Sequence, residues 1–322
     1  MRALDVLDAG PEHAEAIVDI IHRSFSVRPD LDPPSTALDE TVESVSEVLA
    51  TAGGLLVERR GVPMGALLFD ESRPGKLGLR RVSVDPEIQA RGVASAMVGV
   101  AEDTAEERGT DGIWLHVREE LPDTVRFWTR RKYHPVGQEG PLLVLGKTLW
   151  LAREVPTPDA MQHLAARVAE LVRPGDLLVL SGDLGAGKTT FTQGLGDALR
   201  VRGPVTSPTF VLARTHPSLV DGPALVHVDA YRLGSAAEVD DLDLDTASDE
   251  AVTVVEWGEG MAEQLNDSWL SVSIEVRGAR PIDPLGTEHD GDHPDEAEPR
   301  VVTIKPNGPR WVDVPLRSTL LG

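Results

Sequence analysis

The segment Gly182-Asp-Leu-Gly-Ala-Gly-Lys-Thr189 has the spacing Gly-x-x-x-x-Gly-Lys-Thr, with an apolar run from Leu177 before it and an amphipathic helical pattern from Thr190 to Arg200 behind it. That order suits the cradling of a nucleoside triphosphate. Gly182, Gly185 and Gly187 let the backbone take conformations closed to other residues, so successive N–H groups converge on phosphate oxygens at the positive end of the following helix. Lys188, expected to be an exposed phosphate-facing lysine, adds a point charge, and Thr189 offers a hydroxyl to magnesium. The four fixed positions arise by chance in a chain of this length on the order of once in a hundred, so an ordinary Gly-rich strand-to-helix turn is the weaker alternative. The expected ATP contacts are Gly182, Asp183, Leu184, Gly185, Ala186, Gly187, Lys188, Thr189 and Thr190.

Three further features in the same half fit phosphoryl chemistry. Ala224-Leu-Val-His-Val ends in Asp229, a carboxylate at the C-terminal edge of a buried strand that suits magnesium, directly or through water. A strand-capping Asp is the alternative. Thr253-Val-Val ends similarly in Glu256-Trp257, so a second acid projects from the same sheet edge to orient water against the terminal phosphate or to face the metal. Thr206-Ser207-Pro-Thr209 supplies hydroxyls after the loop's helix, either for metal and phosphate or simply for a turn.

Composition bounds these readings. The chain has 322 residues, room for two cores. Its net charge of −22 argues against a protein that grips nucleic acid unaided. Without cysteine there are no disulfides or thiolate metal sites, and a reducing compartment is allowed. Neither a signal peptide nor an apolar run of membrane-spanning length is expected, so the reading is a cytoplasmic protein with no membrane partner.

The elements that must position these residues restart part-way along the chain. Helical periodicity covers 14–25, 94–107 and 124–132, and strand patterns cover 55–58, 66–69, 77–84, 113–117 and 142–146; residues 29–34 read as a loop. A new unit opens with a short strand to Val155, a helix started by Thr157-Pro-Asp that runs through Leu171, and a Pro-Gly turn into the phosphate-loop strand. The fold expected is α/β in two domains, 1–148 and 149–322. The Asp-, Glu-, Pro- and Gly-rich stretch 279–300 reads as a flexible insertion. His289 and His293 inside it make a poor metal site, because a disordered polar loop loses much entropy in forming one.

Taken together, Gly182-Asp-Leu-Gly-Ala-Gly-Lys-Thr-Thr-Phe191, Thr206-Ser-Pro-Thr-Phe210, Asp229-Ala-Tyr-Arg232 and Val255-Glu-Trp257 resemble the TsaE family, the P-loop ATPase subunit of the bacterial machinery that makes threonylcarbamoyladenosine in transfer RNA. The resemblance spans Leu149 to the C-terminus and implies several roles. Lys188 and Thr189 bind phosphates and magnesium, Asp229 supports the metal, Glu256 is needed for hydrolysis, and Thr206, Ser207 and Thr209 belong to a switch-like loop. Trp257 is placed near the nucleotide or a partner surface. The implied partners are the threonylcarbamoyltransferase subunit and its companion, of TsaD and TsaB type, with transfer RNA met only indirectly. A P-loop small-molecule kinase is the alternative; it needs a lid with catalytic arginines, for which Arg214 and Arg232 are few.

In the first half, Arg80-Arg-Val-Ser-Val-Asp-Pro-Glu-Ile-Gln-Ala-Arg-Gly-Val-Ala94 runs from a strand through a small-residue loop into a helix, an anion-binding arrangement with fewer constraints than the phosphate loop. A plain capped helix is the alternative. Residues 1–148 as a whole resemble the GCN-five-related N-acetyltransferase (GNAT) family, a mixed sheet with helices. That implies acetyl-CoA bound through Val82, Val84, Gln89, Arg91, Gly92, Val93 and Ala94. Many family members carry a catalytic Tyr where this chain has Trp128, and indole is no acid; Tyr133, a water or nothing takes the role. Glu58 and Glu119 are candidate bases, with solvated surface acids as the alternative. The first half is thus expected to be an N-acetyltransferase, with a non-catalytic acyl-CoA-binding or docking module as the second reading.

Overall fold

Alternating apolar positions in the first half build a mixed sheet with helices on both faces, in a computed structural model that describes residues 4–88, 92–208, 212–231, 250–277 and 298–322. The chain divides into two units, Met1–Leu149 and Trp150–Gly322. The first runs β1 (Asp5–Ala9), α1 (Ala14–Ser26), α2 (Val42–Thr51), β2 (Gly54–Arg59), β3 (Val62–Asp70), β4 (Lys76–Val84), α3 (Val93–Glu107), β5 (Gly112–Arg118), α4 (Pro122–Thr129), β6 (His134–Glu139) and β7 (Leu142–Thr148). The seven strands lie in the order β1-β2-β3-β4-β5-β7-β6. Side chains two apart share a face: Leu55, Val57, Leu67 and Phe69 pack with α3 residues such as Met97 and Ala101, whereas Leu56, Ala66 and Leu68 pack with Ile17, Ile20 and Leu49 of α1 and α2.

The parallel neighbours β4 and β5 pair only from Lys76 to Leu79 against Gly112 to Leu115. The register of β3 against β4 shifts between Ala66 and Leu68, and Arg81 takes φ +52°, a bulge that bends β4. Val82 and Val84 therefore lie on a stretch of β4 beyond the ladder with β5.

The second unit runs β8 (Leu151–Val155), α5 (Pro158–Ala169), β9 (Leu177–Ser181), α6 (Lys188–Ala198), β10 (Ala213–His216), β11 (Ala224–Asp229), β12 (Ala251–Glu256), β13 (Trp269–Val276), β14 (Arg300–Asn307) and α7 (Leu316–Leu321). Its sheet order is β10-β11-β12-β9-β13-β14-β8. β11, β12, β9 and β13 are parallel, and β10, β14 and β8 run antiparallel. Strands covered on both faces carry continuous apolar runs, and all six residues of β12 are buried. Leu178, Leu180, Leu225, Val252 and Val254 pack with α5, α6 and α7; Leu177, Val179, Val226, Val228 and Val255 face the other way. Thr157 caps α5 by accepting from the Ala160 N–H at 3.1 Å.

Some boundaries differ from the sequence expectation. α6 begins at Lys188, two residues early. α4 stops at Thr129 and Lys132 adopts φ +66°, so the helix does not reach that residue. β6 carries Pro135 and Gly137 and is largely exposed, which hides it from apolar periodicity. The stretch 279–297, with His289 and His293, lies outside the described residues.

Candidate functional site

The C-terminal edge of the second sheet is where the chemistry collects. β9 ends at Ser181 and the chain turns through Gly182 at φ +139°. A Cβ there would sit 2.3 Å from the Ile274 carbonyl oxygen, so only glycine fits. Gly187, at φ +113°, is the N-cap of α6, and Ala186 is buried under the loop while Leu184 is exposed. The backbone N–H groups of the loop and first turn are the donors a phosphate needs.

Lys188, expected to be exposed as a phosphate-facing lysine, is instead only 5% exposed. Its Nζ donates to the carbonyls of Gly182 (2.7 Å) and Asp183 (2.9 Å) and lies 3.6 Å from the centre of the Trp257 ring. Burial pushes its pKa down, against the upward pull of Glu256, Asp229 and Asp183. The ammonium is folded onto the loop's own acceptors.

Asp229 and Glu256 end neighbouring parallel strands in register with one another. Both are nearly fully buried. The Thr189 hydroxyl lies 3.1 and 3.2 Å from the two Glu256 carboxylate oxygens. Asp229 accepts from the Ser207 hydroxyl at 2.9 Å and from the Tyr231 N–H at 3.0 Å. Together with Gly185, Gly187, Thr190 and Trp257 these groups line a cavity of about 380 Å³. Trp257 takes φ +62°, uncommon for a bulky side chain, and its ring meets Tyr231 edge-on at 5.2 Å.

Of the expected switch loop, Ser207 lines the cavity, Thr206 accepts from Arg214 at 3.1 Å, and Thr209 lies outside the described residues, as does Arg232. Arg214 is not among the cavity residues. Sequence reading passed over Tyr231 and His227. The latter is fully buried, with Nε2 2.8 Å from Glu256 Oε1; the signal was its position two before Asp229 in a period-two strand.

The residues fit magnesium with a nucleotide. A threonine hydroxyl and two carboxylates are hard oxygen donors, and magnesium usually keeps water and substrate phosphates as its other ligands. Among the described residues no group of three His, Asp or Glu is placed to hold a metal without a substrate.

In the first unit Gly92, at φ +111°, is the N-cap of α3 and a side chain there would meet open space. Val93 is buried and Ala94 half-buried beside it, while Gln89 and Arg91 lie outside the described residues. Tyr133 is fully buried, donates to Glu102 Oε1 at 3.1 Å, and meets buried Trp128 edge-on at 4.9 Å. Burial, with the Glu102 charge, holds its pKa well above 10.0. The structure places the Tyr133 hydroxyl in the core, bonded to Glu102. Glu58 is half-buried on β2 and Glu119 is exposed just after β5.

Comparison with known proteins gives these geometries a family. Residues 155–282 match the model of "Threonylcarbamoyl adenosine biosynthesis protein TsaE". A Streptomyces coelicolor protein described as tRNA threonylcarbamoyladenosine biosynthesis protein TsaE is 54% identical over 152 residues, 47% of this chain and 93% of the relative. The chain belongs to the TsaE family. Relatives with the same description in Mycobacterium bovis and Bacillus subtilis are 54% identical over 128 residues (38% of this chain, 76% of theirs) and 39% over 123 (38% and 75%). Residues 14–133 match the model of the "Acetyltransferase (GNAT) family", so a GNAT domain precedes the TsaE domain. No helix among the described residues is long and apolar enough to cross a membrane.

Proposed function

We propose that the domain 149–322 binds and hydrolyses ATP with magnesium in support of threonylcarbamoyladenosine synthesis in cytoplasmic transfer RNA. The observation that carries this is the convergence of Lys188, Thr189, Asp229 and Glu256 on one cavity at the C-terminal edge of a parallel sheet. Loop N–H groups and Lys188 hold the phosphates; Thr189 and Asp229 hold magnesium, with Glu256 beside it. Magnesium, when bound, neutralises charge on the phosphate oxygens. Glu256, close to Thr189, orients the attacking water.

The relatives' description points to the threonylcarbamoyltransferase subunit and its companion as partners. The net charge of −22 leaves RNA to them. The purified chain is expected to hydrolyse ATP weakly and to change rate when that pair is added. No magnesium-dependent turnover in either condition would falsify the reading, and tight, salt-sensitive binding of transfer RNA by the isolated chain would contradict the division of labour.

For the domain 1–148, we propose acetyl-CoA binding at the gap where β4 leaves β5, with the pyrophosphate over the α3 N-terminus and the pantetheine arm along Val82 to Val84. The short β4–β5 ladder supports it. The GNAT match supports acetyl transfer to an amine, whereas the buried Tyr133 favours a route in which no tyrosine reprotonates the thiolate, or a module that binds without turnover. Acetyl-CoA consumption beyond the no-acceptor background, assayed with an amine panel, separates the two.

A further inference from the structure

His227 is a buried titratable side chain for which the ATPase reading has no use. We propose that it is a positioning residue: its Nε2–H holds the Glu256 carboxylate in the orientation that meets Thr189 and the nucleotide cavity. The proposal rests on the ATPase reading. In the register of β11 and β12, His227 stands opposite Val254, so period-two alternation puts His227 on the same sheet face as Glu256. Nε2 lies 2.8 Å from Oε1, with the histidine 0% and the glutamate 3% exposed. A carboxylate this deeply buried needs donors on its oxygens. Thr189 approaches both oxygens, at 3.1 and 3.2 Å, from the loop side, and His227 approaches Oε1 from within the sheet.

The proton's location follows from the contact. An ionised carboxylate only accepts, so the contact calls for the hydrogen on Nε2. Nδ1 is buried with no hydrogen-bond partner among the described residues, which leaves Glu256 as the imidazole's polar contact. Packing alone does not call for this residue type. Leu225 and Val254 on the same face are apolar and fully buried, and a leucine at 227 would fill similar space without an unpaired nitrogen. The histidine is therefore placed against local stability, the pattern expected where a side chain serves a site. With one oxygen tied from below, the carboxylate cannot swing out of line, and such ordering acts on turnover more than on nucleotide affinity.

The test uses the full chain as His227→Leu and His227→Gln. For His227→Leu, magnesium-dependent ATP turnover is expected to fall by roughly tenfold or more, the range seen when an outer partner of a site residue is lost. Its affinity for a non-hydrolysable ATP analogue stays within about threefold, and its thermal midpoint falls by no more than a few degrees, because a donor to the buried carboxylate is lost while an unpaired nitrogen is removed with it. His227→Gln returns an N–H donor near the Nε2 position and recovers most of the turnover. A readout independent of activity is the long-range proton–nitrogen NMR spectrum of the nucleotide-free chain: the imidazole signals missing in His227→Leu belong to the Nε2–H tautomer. Turnover of His227→Leu equal to wild type overturns the proposal while leaving the ATPase reading intact. So does a joint fall of midpoint and turnover that glutamine does not repair, or an Nδ1–H tautomer. A wild-type chain that hydrolyses no ATP removes the ATPase reading and this proposal together.

Discussion

Both halves of the chain feed a strand into a helix through a glycine in the left-handed region, Gly92 at φ +111° before α3 and Gly187 at φ +113° before α6. The backbone device is shared, but the surroundings differ. After Gly187 come Lys188 and Thr189, and two buried carboxylates on adjacent strands face them. After Gly92 come the apolar Val93 and Ala94, and the cation at that first turn comes from elsewhere, Arg131 donating to the Ser95 hydroxyl. A helix start alone offers N–H groups and a partial positive charge, enough to hold an anion. Fixed charges on neighbouring strands, set to meet charge that develops in a transition state, turn holding into chemistry. The comparison supports the proposed phosphoryl chemistry at the second cradle and the proposed grip on a cofactor at the first.

The largest expected effect comes from Lys188→Ala. Removing the loop's point charge is expected to lower magnesium-dependent ATP turnover by about 100-fold or more, with weaker binding of an ATP analogue. The low pKa of Lys188, set first by desolvation, means that in the nucleotide-free fold its charge costs stability below the folded pKa and the cost lifts as pH rises toward 10.5. Lys188→Ala is therefore expected to leave the thermal midpoint near neutral pH unchanged or slightly raised. Acetyl-CoA affinity is expected to stay at the wild-type value, since the two cradles are separate devices. Full ATP turnover in this variant sinks the nucleotide assignment.

Next is Glu256→Gln, which keeps the shape of the side chain but not its charge. Turnover at saturating ATP is expected to fall roughly 100-fold while analogue affinity changes little, as for a group that acts on water in the transition state. An equal loss of affinity with no loss at saturation makes Glu256 a binding residue instead.

How much of this was legible in the sequence follows the range of each interaction. The phosphate loop reads directly because its constraints are local: glycine torsions, a lysine and a hydroxyl within eight residues. Asp229 and Glu256 read as strand ends because continuous apolar runs of buried strands stop at an acid. That they stand side by side is a fact of strand order, since β11 and β12 are neighbours and β9 follows, and local sequence does not encode it. Lys188 was misjudged for the same reason, its burial coming from the Trp257 ring 3.6 Å away and from loop carbonyls. His227 looked like one more residue of a strand until Glu256 lay beside it. In the first half, α2 was missed because Val42-Glu-Ser-Val-Ser-Glu-Val is rich in serine and β-branched residues, which weaken the helix signal. Capping by Thr41 and contacts with α1 decide it.

Gly92 is where the first cradle can be broken. Gly92→Glu is expected to lower acetyl-CoA affinity by at least about tenfold, because a carboxylate at the helix start repels the pyrophosphate and the left-handed torsion strains any side chain. Gly92→Ala separates the two causes. Space is open around that position, so alanine adds only torsional strain, and a smaller loss is expected than for glutamate. Calorimetry on the full chain reads both. Wild-type affinity in Gly92→Glu places the cofactor elsewhere, and no heat with the wild type at millimolar acetyl-CoA means a fold without its cofactor.

The smallest effect is expected from Tyr133→Phe, and it sharpens what kind of domain the first half is. If Tyr133 were the acid that returns a proton to the thiolate, removing its hydroxyl would lower acetyl transfer by orders of magnitude. The structure instead puts that hydroxyl in the core, donating to Glu102, whose other oxygen pairs with Lys147 at 2.7 Å. Losing a hydrogen bond to a charged group costs about 1.5–3 kcal/mol, partly returned here because Lys147 still pairs the carboxylate. Tyr133→Phe is therefore expected to lower the thermal midpoint by a few degrees and to leave acetyl-CoA affinity, and any acetyl transfer, unchanged. The pH dependence gives an independent check. Burial raises the folded pKa of Tyr133 above the ordinary 10.0; its stabilising contribution is complete below that value and is lost as pH rises through the folded pKa, because the unfolded chain releases the proton first. The wild type should lose stability along that alkaline slope, and Tyr133→Phe should lack this component. Unchanged stability together with lost acetyl transfer would return the phenol to the reaction.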